Sequence, residues 1–195
     1  MTAIAPPEWA VLPDRPEHAP APGEAIPSHY RWCFGCGVDH PTGLHMRITA
    51  GEGLSVAGDF TVTEHHQGAP GLAHGGLLTA AFDEVLGSLN WLLGDPVVTA
   101  QIQTEFRRPV PVGSVLHIDA HVVGVAGRKV FTSAEGRLDG ADGQLAVTAS
   151  ALFIKVPIEH FLKHGNREHI EQAIIDRASG GPAWRTGGHD VEVNL

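Results

Sequence analysis

The sequence predicts an α+β fold in which one long helix packs on an antiparallel sheet. Three observations carry this. Residues 75–93 read as a helix with apolar character over most of its circumference, two strand-like runs precede it, and four more follow it, separated by Gly-containing turns. One helix set into a run of strands, without strand–helix alternation, points away from a parallel doubly wound sheet.

The elements are justified in order along the chain. Residues 1–28 carry Pro6, Pro7, Pro13, Pro16, Pro20, Pro22 and Pro27, a spacing that predicts an extended arm with Trp9 and Leu12 as its anchors. Strands are predicted over 45–50 and 54–62, then a loop over 65–73. In the helix, Leu78, Phe82, Val85, Leu89 and Leu92 fall on one stripe at 100° per residue. Leu77, Ala81, Leu86, Trp91 and Leu93 widen the apolar surface, so the helix is expected to be enclosed.

After the helix, residues 97–106 set Val98, Ala100, Ile102, Thr104 and Phe106 against Val97, Thr99, Gln101, Gln103 and Glu105, the alternation of a half-buried strand. Strands are predicted over 115–123, 130–138 and 145–156, with turns at 124–127 and 139–143. The segment from Pro157 reads as helical and broken at Gly165, with Asn166 capping a second piece that runs to about Ala178. The expected division is therefore an arm (1–28), a main domain (29–156) and a C-terminal helical extension and tail (157–195).

Composition narrows the function classes. With 195 residues and 43% hydrophobic content the chain is large enough for one good core. A formal charge of −9 argues against nucleic acid as a partner. No apolar run approaches the roughly 20 residues of a membrane span, and the first residues lack a basic segment followed by an apolar stretch. Cys33 and Cys36 are the only cysteines and form no secreted-type framework, so a reducing, cytoplasmic location is expected.

The helix holds the candidate chemistry. Thr79, Asp83 and Asn90 lie within roughly 40° of one another by helical count, a narrow polar seam on a buried rod. Burying the Asp83 carboxylate is costly, which suits a pocket wall better than an idle core position. His74-Gly75-Gly76 opens the same helix, where unpaired backbone N–H groups present a partial positive charge and the absence of a Cβ allows close approach of an acyl oxygen. The bland alternative is a tight turn with Asp83 satisfied by structural hydrogen bonds.

Cys33-Phe34-Gly35-Cys36-Gly37, Pro41-Thr42-Gly43-Leu44, the run Gly71 to Gly76, Asp83, Thr99 and the run Phe106 to Pro111 together resemble the hotdog-fold acyl-CoA thioesterases. The resemblance is to the phenylacetic-acid-degradation type and to the related mammalian acyl-CoA thioesterases with a CFGCG segment. It implies a central helix wrapped by five to six strands, hydrolysis of acyl-CoA to free acid and coenzyme A without a cofactor, and a homodimer or dimer of dimers with active sites at the protomer interface. It assigns Asp83 as general base or nucleophile, the N–H groups of Gly75 and Gly76 as the carbonyl-polarising donors, and Thr99 as a second active-site residue. His74 would act mainly through its backbone and local hydrogen bonds. The resemblance further implies that Asp83 and Thr99 meet only in the dimer, and that Gln67 matches a loop amide positioning water.

Thr79 and Asn90 are carried as substrate-binding residues of the seam, and Arg107, Arg108, Arg128 and Lys129 as the cations for coenzyme A phosphates in an acidic chain. Leu78, Phe82 and Leu86 are expected to line the acyl pocket. Glu84, the competitor of Asp83, sits about 100° further round and is expected to reach a partner protomer or a basic residue. Cys33, Cys36, His40 and His45 have the order of a zinc set, but their spacing is compact and CFGCG in the resembling proteins is a packed turn, so no metal is expected. His160 and His164 lack the intervening Glu of a zinc-protease helix. Two other classes remain: a non-catalytic acyl-CoA-binding protein, and a hotdog enoyl-CoA hydratase or dehydratase.

Overall fold

The computed structural model describes residues 4–178. Strands β1 (Ala25–Ile26), β2 (Arg47–Ala50) and β3 (Ser55–Thr61) precede a short hairpin, β4 (Gln67–Ala69) and β5 (Leu72–Ala73). Helix α1 (Gly75–Ser88) and its continuation α2 (Asn90–Leu93) follow, then β6 (Val97–Phe106), β7 (Val115–Ala126), β8 (Lys129–Leu138) and β9 (Leu145–Lys155). Helices α3 (Ile158–His164) and α4 (Arg167–Ala178) end the described chain. The main sheet is antiparallel throughout, in the order β1-β2-β3-β7-β8-β9-β6, and α1 packs across β3, β7, β8, β9 and β6.

The predicted stripe of the helix is the core: Phe82, Val85, Leu89 and Leu92 are fully buried against Phe60, Leu116 and Ile118 of the sheet. Fully burying a side chain of this size stabilises the fold by roughly 1.5–3 kcal/mol. Gly136 of β8 lets Phe82 approach, since a Cβ there would stand 2.7 Å from the Phe82 ring. The predicted single helix is interrupted at Leu89, where Ser88 Oγ donates to Val85 O (2.7 Å) and Asn90 Nδ2 donates to Gly87 O (3.1 Å). These side-chain bonds compete with the backbone ladder at that turn. Gly94 then closes α2 in the left-handed conformation.

Three expectations are corrected. The sheet has seven strands, not five to six, because β1 from the Pro-rich arm pairs with β2 (Ala25 opposite Thr49). β7 continues past Val123, which is the extra residue of a bulge between Val122 and Gly124, and runs to Ala126, so the β7–β8 turn tightens to Gly127 and Arg128 with Gly127 at φ 60°. Trp9 and Leu12 do not anchor the arm, being 70% and 63% exposed. The arm is held by polar groups: Val11 and Val125 exchange both backbone hydrogen bonds, and Arg15 donates to the carbonyls of Gly51, Gly53 and Pro20. No helix among the described residues is long and apolar enough to cross a membrane.

Candidate active site

Asp83 sits two turns into α1, half-buried, and Thr99 Oγ1 of β6 donates to its Oδ1 at 3.0 Å. The expectation that these two meet only in a dimer is therefore overturned. A β-bulge explains how they meet. Thr99 pairs with Phe153 and Gln101 with the adjacent Leu152, leaving Ala100 as the extra residue. Beyond the bulge the facing row switches from odd to even numbers: Thr104 meets Thr79 of α1, and the Phe106 ring covers Gly75. An unbroken strand would have placed Thr99 and Thr104 on opposite faces.

Burial pushes the Asp83 carboxyl above its ordinary range, and the Thr99 hydrogen bond pulls the other way. The first effect strengthens Asp83 as a base; the second keeps it ionised. Asp83 and Thr99 line a cavity of about 640 Å³, walled by Gly87 and Trp91 of the helix layer, Phe153 of β9, Met46 and Ile48, and roofed by Phe161, Ile170 and Ile174 of α3 and α4. The expected lining by Leu78, Phe82 and Leu86 is not observed: these are 4%, 0% and 0% exposed core residues on the sheet-facing side. The cavity lies instead along Asp83, Gly87 and Trp91, successive positions of another face. Asn90 also borders it, with Oδ1 buried and unpartnered among the described residues.

The start of α1 holds a second group of predicted residues. His74 caps the helix, its Nδ1 accepting from Gly76 N–H at 2.9 Å. That bond occupies one of the two predicted carbonyl-polarising donors and leaves the Gly75 N–H without a partner among the described residues. Thr79 Oγ1 donates to Gly75 O (3.0 Å) and lies 3.3 Å from Thr104 Oγ1, so its hydroxyl joins α1 to β6 outside the cavity. Gln67 uses both ends of its amide within its own loop, to Glu64 O (2.9 Å) and from Gly71 N–H (2.7 Å).

Gly75 and Asp83 are eight residues apart, about 12 Å along a helix axis, too far for one small acyl carbonyl to touch both in one chain. The cations divide likewise. Arg107, paired with Glu105 at 2.7 Å, and the exposed Arg108 follow the end of β6 near Gly75. Arg128 and Lys129 lie at the β7–β8 turn beside the end of β9, one strand removed from the start of β6, and Arg128 keeps Nη1 buried and unpartnered among the described residues.

A cluster that the sequence reading did not assemble stands beside Asp83. Glu84 faces the CFGCG loop: Cys33 Sγ donates to its Oε2 at 3.4 Å, and His29 Nδ1 lies 3.8 Å from its Oε1. Cys36 Sγ is 3.3 Å from His29 Nδ1. Burial first, and the Cys33 sulfur second, push Glu84 up to about 7. Of the two expectations for Glu84, a partner protomer or a basic residue, the second is met within its own chain, by His29 of the neighbouring loop. His40 and His45 turn elsewhere, to Thr42 N–H and Gly37 O. The signal in the sequence was the compact His29-x3-Cys33-x2-Cys36 run, but nothing local tied it to Glu84.

With this geometry in view, the chain can be set beside known proteins. The Thioesterase superfamily profile matches residues 70–142. A crystal structure of a thioesterase superfamily protein superposes with a TM-score of 0.60 at 32% identity, covering 71% of this chain and 70% of that one. The Escherichia coli PaaI protein from the phenylacetic acid degradation operon shares the fold, with a TM-score of 0.54, 18% identity, and coverage of 58% of this chain and 80% of that one. Acyl-coenzyme A thioesterase THEM4 of Xenopus laevis is 39% identical over 90 residues, 46% of this chain and 40% of the relative. The THEM4 protein of Bos taurus is 40% identical over 93 residues, 48% of this chain and 38% of the relative. The chain thus spans about 40% of the length of these curated relatives.

Proposed function

This chain belongs to the thioesterase superfamily, and from that premise we propose that it hydrolyses acyl-CoA thioesters in sites built from two copies of itself. The observation that carries the reading is the Asp83–Thr99 pair, a carboxylate raised by burial and held by a hydroxyl at 3.0 Å, on the wall of a cavity with room for an apolar acyl group. In this reading water attacks the thioester carbonyl carbon as Asp83 accepts its proton. The C–S bond breaks, and the coenzyme A thiolate leaves and is protonated. Direct attack by Asp83, with an anhydride that water then opens, is the alternative route through the same atoms.

The carbonyl oxygen needs a fixed donor where its charge develops. The Gly75 N–H is such a donor, about 12 Å too far along the helix in its own chain. β6 supplies the remedy. It is the last strand of the sheet, ten residues long, with an unpaired edge, and such an edge is a template for another chain. Antiparallel pairing of two β6 edges about a two-fold axis sets the Thr99 end of one strand against the Phe106 end of the other. Gly75 of the partner subunit, under its own Phe106, then approaches Asp83, and Arg107 and Arg108 of one subunit join Arg128 and Lys129 of the other around the coenzyme A phosphates.

Residues 29–156 form the catalytic unit in this proposal, and the C-terminal helices close the acyl cavity. The half-buried free thiols of Cys33 and Cys36 suit the cytoplasm as its place of work.

Thiol release from short, medium, long and aryl acyl-CoAs by the wild type and Asp83→Asn tests the chemistry: turnover that collapses in the variant supports it, and binding without any wild-type turnover makes the protein an acyl-CoA-binding module. Mixing tests the assembly. Asp83→Asn and Gly75→Val, each inactive alone, should recover about one quarter of wild-type activity when subunits exchange at equal amounts, because half the dimers are mixed and each holds one intact site. No recovery despite exchange places the site within one chain.

A further inference from the structure

The CFGCG loop and Glu84 form a constellation that the hydrolytic reading does not use. We propose that His29, Cys33, Cys36 and Glu84 bind one Zn2+ in a closed, tetrahedral, structural site that fastens the loop to α1 beside Asp83. The four donor atoms, one per residue, lie within 4.8 Å of one another. With zinc bonds of about 2.3 Å to sulfur and 2.0–2.2 Å to nitrogen or oxygen, the edges of a tetrahedral site are about 3.3–3.8 Å. Three of the separations fall in that range, with Cys36 Sγ to His29 Nδ1 at 3.3 Å, Cys33 Sγ to Glu84 Oε2 at 3.4 Å and His29 Nδ1 to the other Glu84 oxygen, Oε1, at 3.8 Å, and the remaining spread, up to 4.8 Å, is what a bound ion would draw in.

The donor set selects the class of ion. Two thiolates with an imidazole and a carboxylate suit zinc, whereas calcium and magnesium require an all-oxygen shell. Four protein ligands leave no open position, which assigns the ion to structure and not to water activation. Outer-shell hydrogen bonds are also present. The Gly35 N–H donates to Cys33 Sγ at 3.3 Å, and Ser28 Oγ lies 3.3 Å from Cys36 Sγ, contacts that orient and stabilise bound thiolates. The loop's glycines are there for contact: a Cβ on Gly35 would fall 2.2 Å from Glu84 Oε2, and one on Gly37 2.5 Å from the Cys33 backbone. Binding displaces the protons of both thiols, so uptake releases acid and weakens as pH falls.

The test uses the full chain, purified with a reductant and without added metal. Metal analysis is expected to find about one Zn2+ per chain, falling below about a tenth of that in Cys36→Ser. The wild type stripped by a chelator and reloaded with Co2+ should develop thiolate-to-cobalt charge-transfer absorption and tetrahedral ligand-field bands, while the stripped form should melt at a lower temperature. The cobalt experiment needs no variant, so it holds if Cys36→Ser does not fold. A metal-free protein whose two thiols react freely or are joined as a disulfide, and which takes up neither Zn2+ nor Co2+ after reduction, overturns the proposal. So does a folded Cys36→Ser that keeps its metal.

Discussion

Asp83 and Glu84 are neighbours on α1 and border the same cavity, yet the groups that touch their carboxylates differ. Both are removed from water, and burial is the first cause of the upward shift in each. Asp83 receives one neutral donor, the Thr99 hydroxyl, and otherwise faces the cavity. Glu84 has a thiol on one oxygen and an imidazole 3.8 Å from the other, with a glycine backbone closing over it. A carboxylate with a free lone pair beside a cavity can take a proton from water; one enclosed by two sulfurs and a nitrogen is placed to share them with a cation. The 100° turn between adjacent helix positions is enough to give the two carboxylates different partners.

The largest expected effect follows from breaking Asp83. Asp83→Asn keeps the shape and the Thr99 contact but removes the base, and general-base catalysis is worth about 10²–10⁴ in rate. Steady-state thiol release should fall by that factor, with zinc content unchanged. Glu84→Gln should do the reverse, losing the metal while turnover falls less than about tenfold, the equivalent of about 1.4 kcal/mol in barrier. Equal losses of rate in both variants would erase the distinction. Thr99→Val comes next. It removes a hydrogen bond to a charged group, worth about 1.5–3 kcal/mol, so kcat should drop about 10- to 100-fold, with Thr99→Ser recovering most of it. A Val variant with unaltered kcat would make Thr99 a sheet residue only.

These two carboxylates also mark what the sequence could disclose. A costly charge inside an apolar helix singled out Asp83 as a candidate, and the start of α1, the bounds of β6 and the α3–α4 break followed from stripe, alternation, Gly165 and Asn166, whereas the break at Leu89 did not; His169 N–H donates to Asn166 Oδ1 at 3.2 Å. Local period is a property of the chain itself. What period cannot encode is where a partner strand forces an extra residue. The Ala100 bulge inverts the alternation read along β6 and brings Thr99 to Asp83. The Glu84 cluster was hidden for a related reason: Cys33 and Glu84 are 51 residues apart, and only the closed fold joins them. A pocket wall was expected at Leu78, Phe82 and Leu86, yet Leu78 and Phe82 belong to the very stripe that packs into the core, and the cavity lies along the Asp83, Gly87 and Trp91 face instead.

A smaller effect is expected at the cations. Arg128 brings a buried, unpartnered Nη1 to the turn nearest the Asp83 end of β6, whereas Arg107 is already paired with Glu105. Arg128→Ala should therefore raise KM for acyl-CoA several-fold, about 1 kcal/mol of a charge-assisted contact, with little change in kcat. Arg107→Ala should change less, and raising the salt concentration should narrow the gap between wild type and Arg128→Ala. Equal KM shifts in the two variants would show that the phosphates select by net charge and not by position.

The smallest effect sharpens the comparison at the other end of α1. His74 caps the helix by accepting the Gly76 N–H, so His74→Ala removes a cap worth about 1 kcal/mol. For a domain of this size that lowers the melting temperature by about 2–4 °C. Activity supplies the more telling readout. The vacated Gly76 N–H becomes a second free donor next to Gly75, while the helix start loses the side chain that fixes its direction. If a single well-placed donor at Gly75 serves the carbonyl, disorder at the cap should dominate and kcat should fall by a few-fold, about 1 kcal/mol in barrier. If the chemistry needs both N–H groups, the same substitution should raise kcat despite the lower melting temperature. His74→Asn checks either account, because an Asn side chain can still accept from the Gly76 N–H: it should return stability and kcat to their wild-type values, raising kcat from that of His74→Ala under the first account and lowering it under the second.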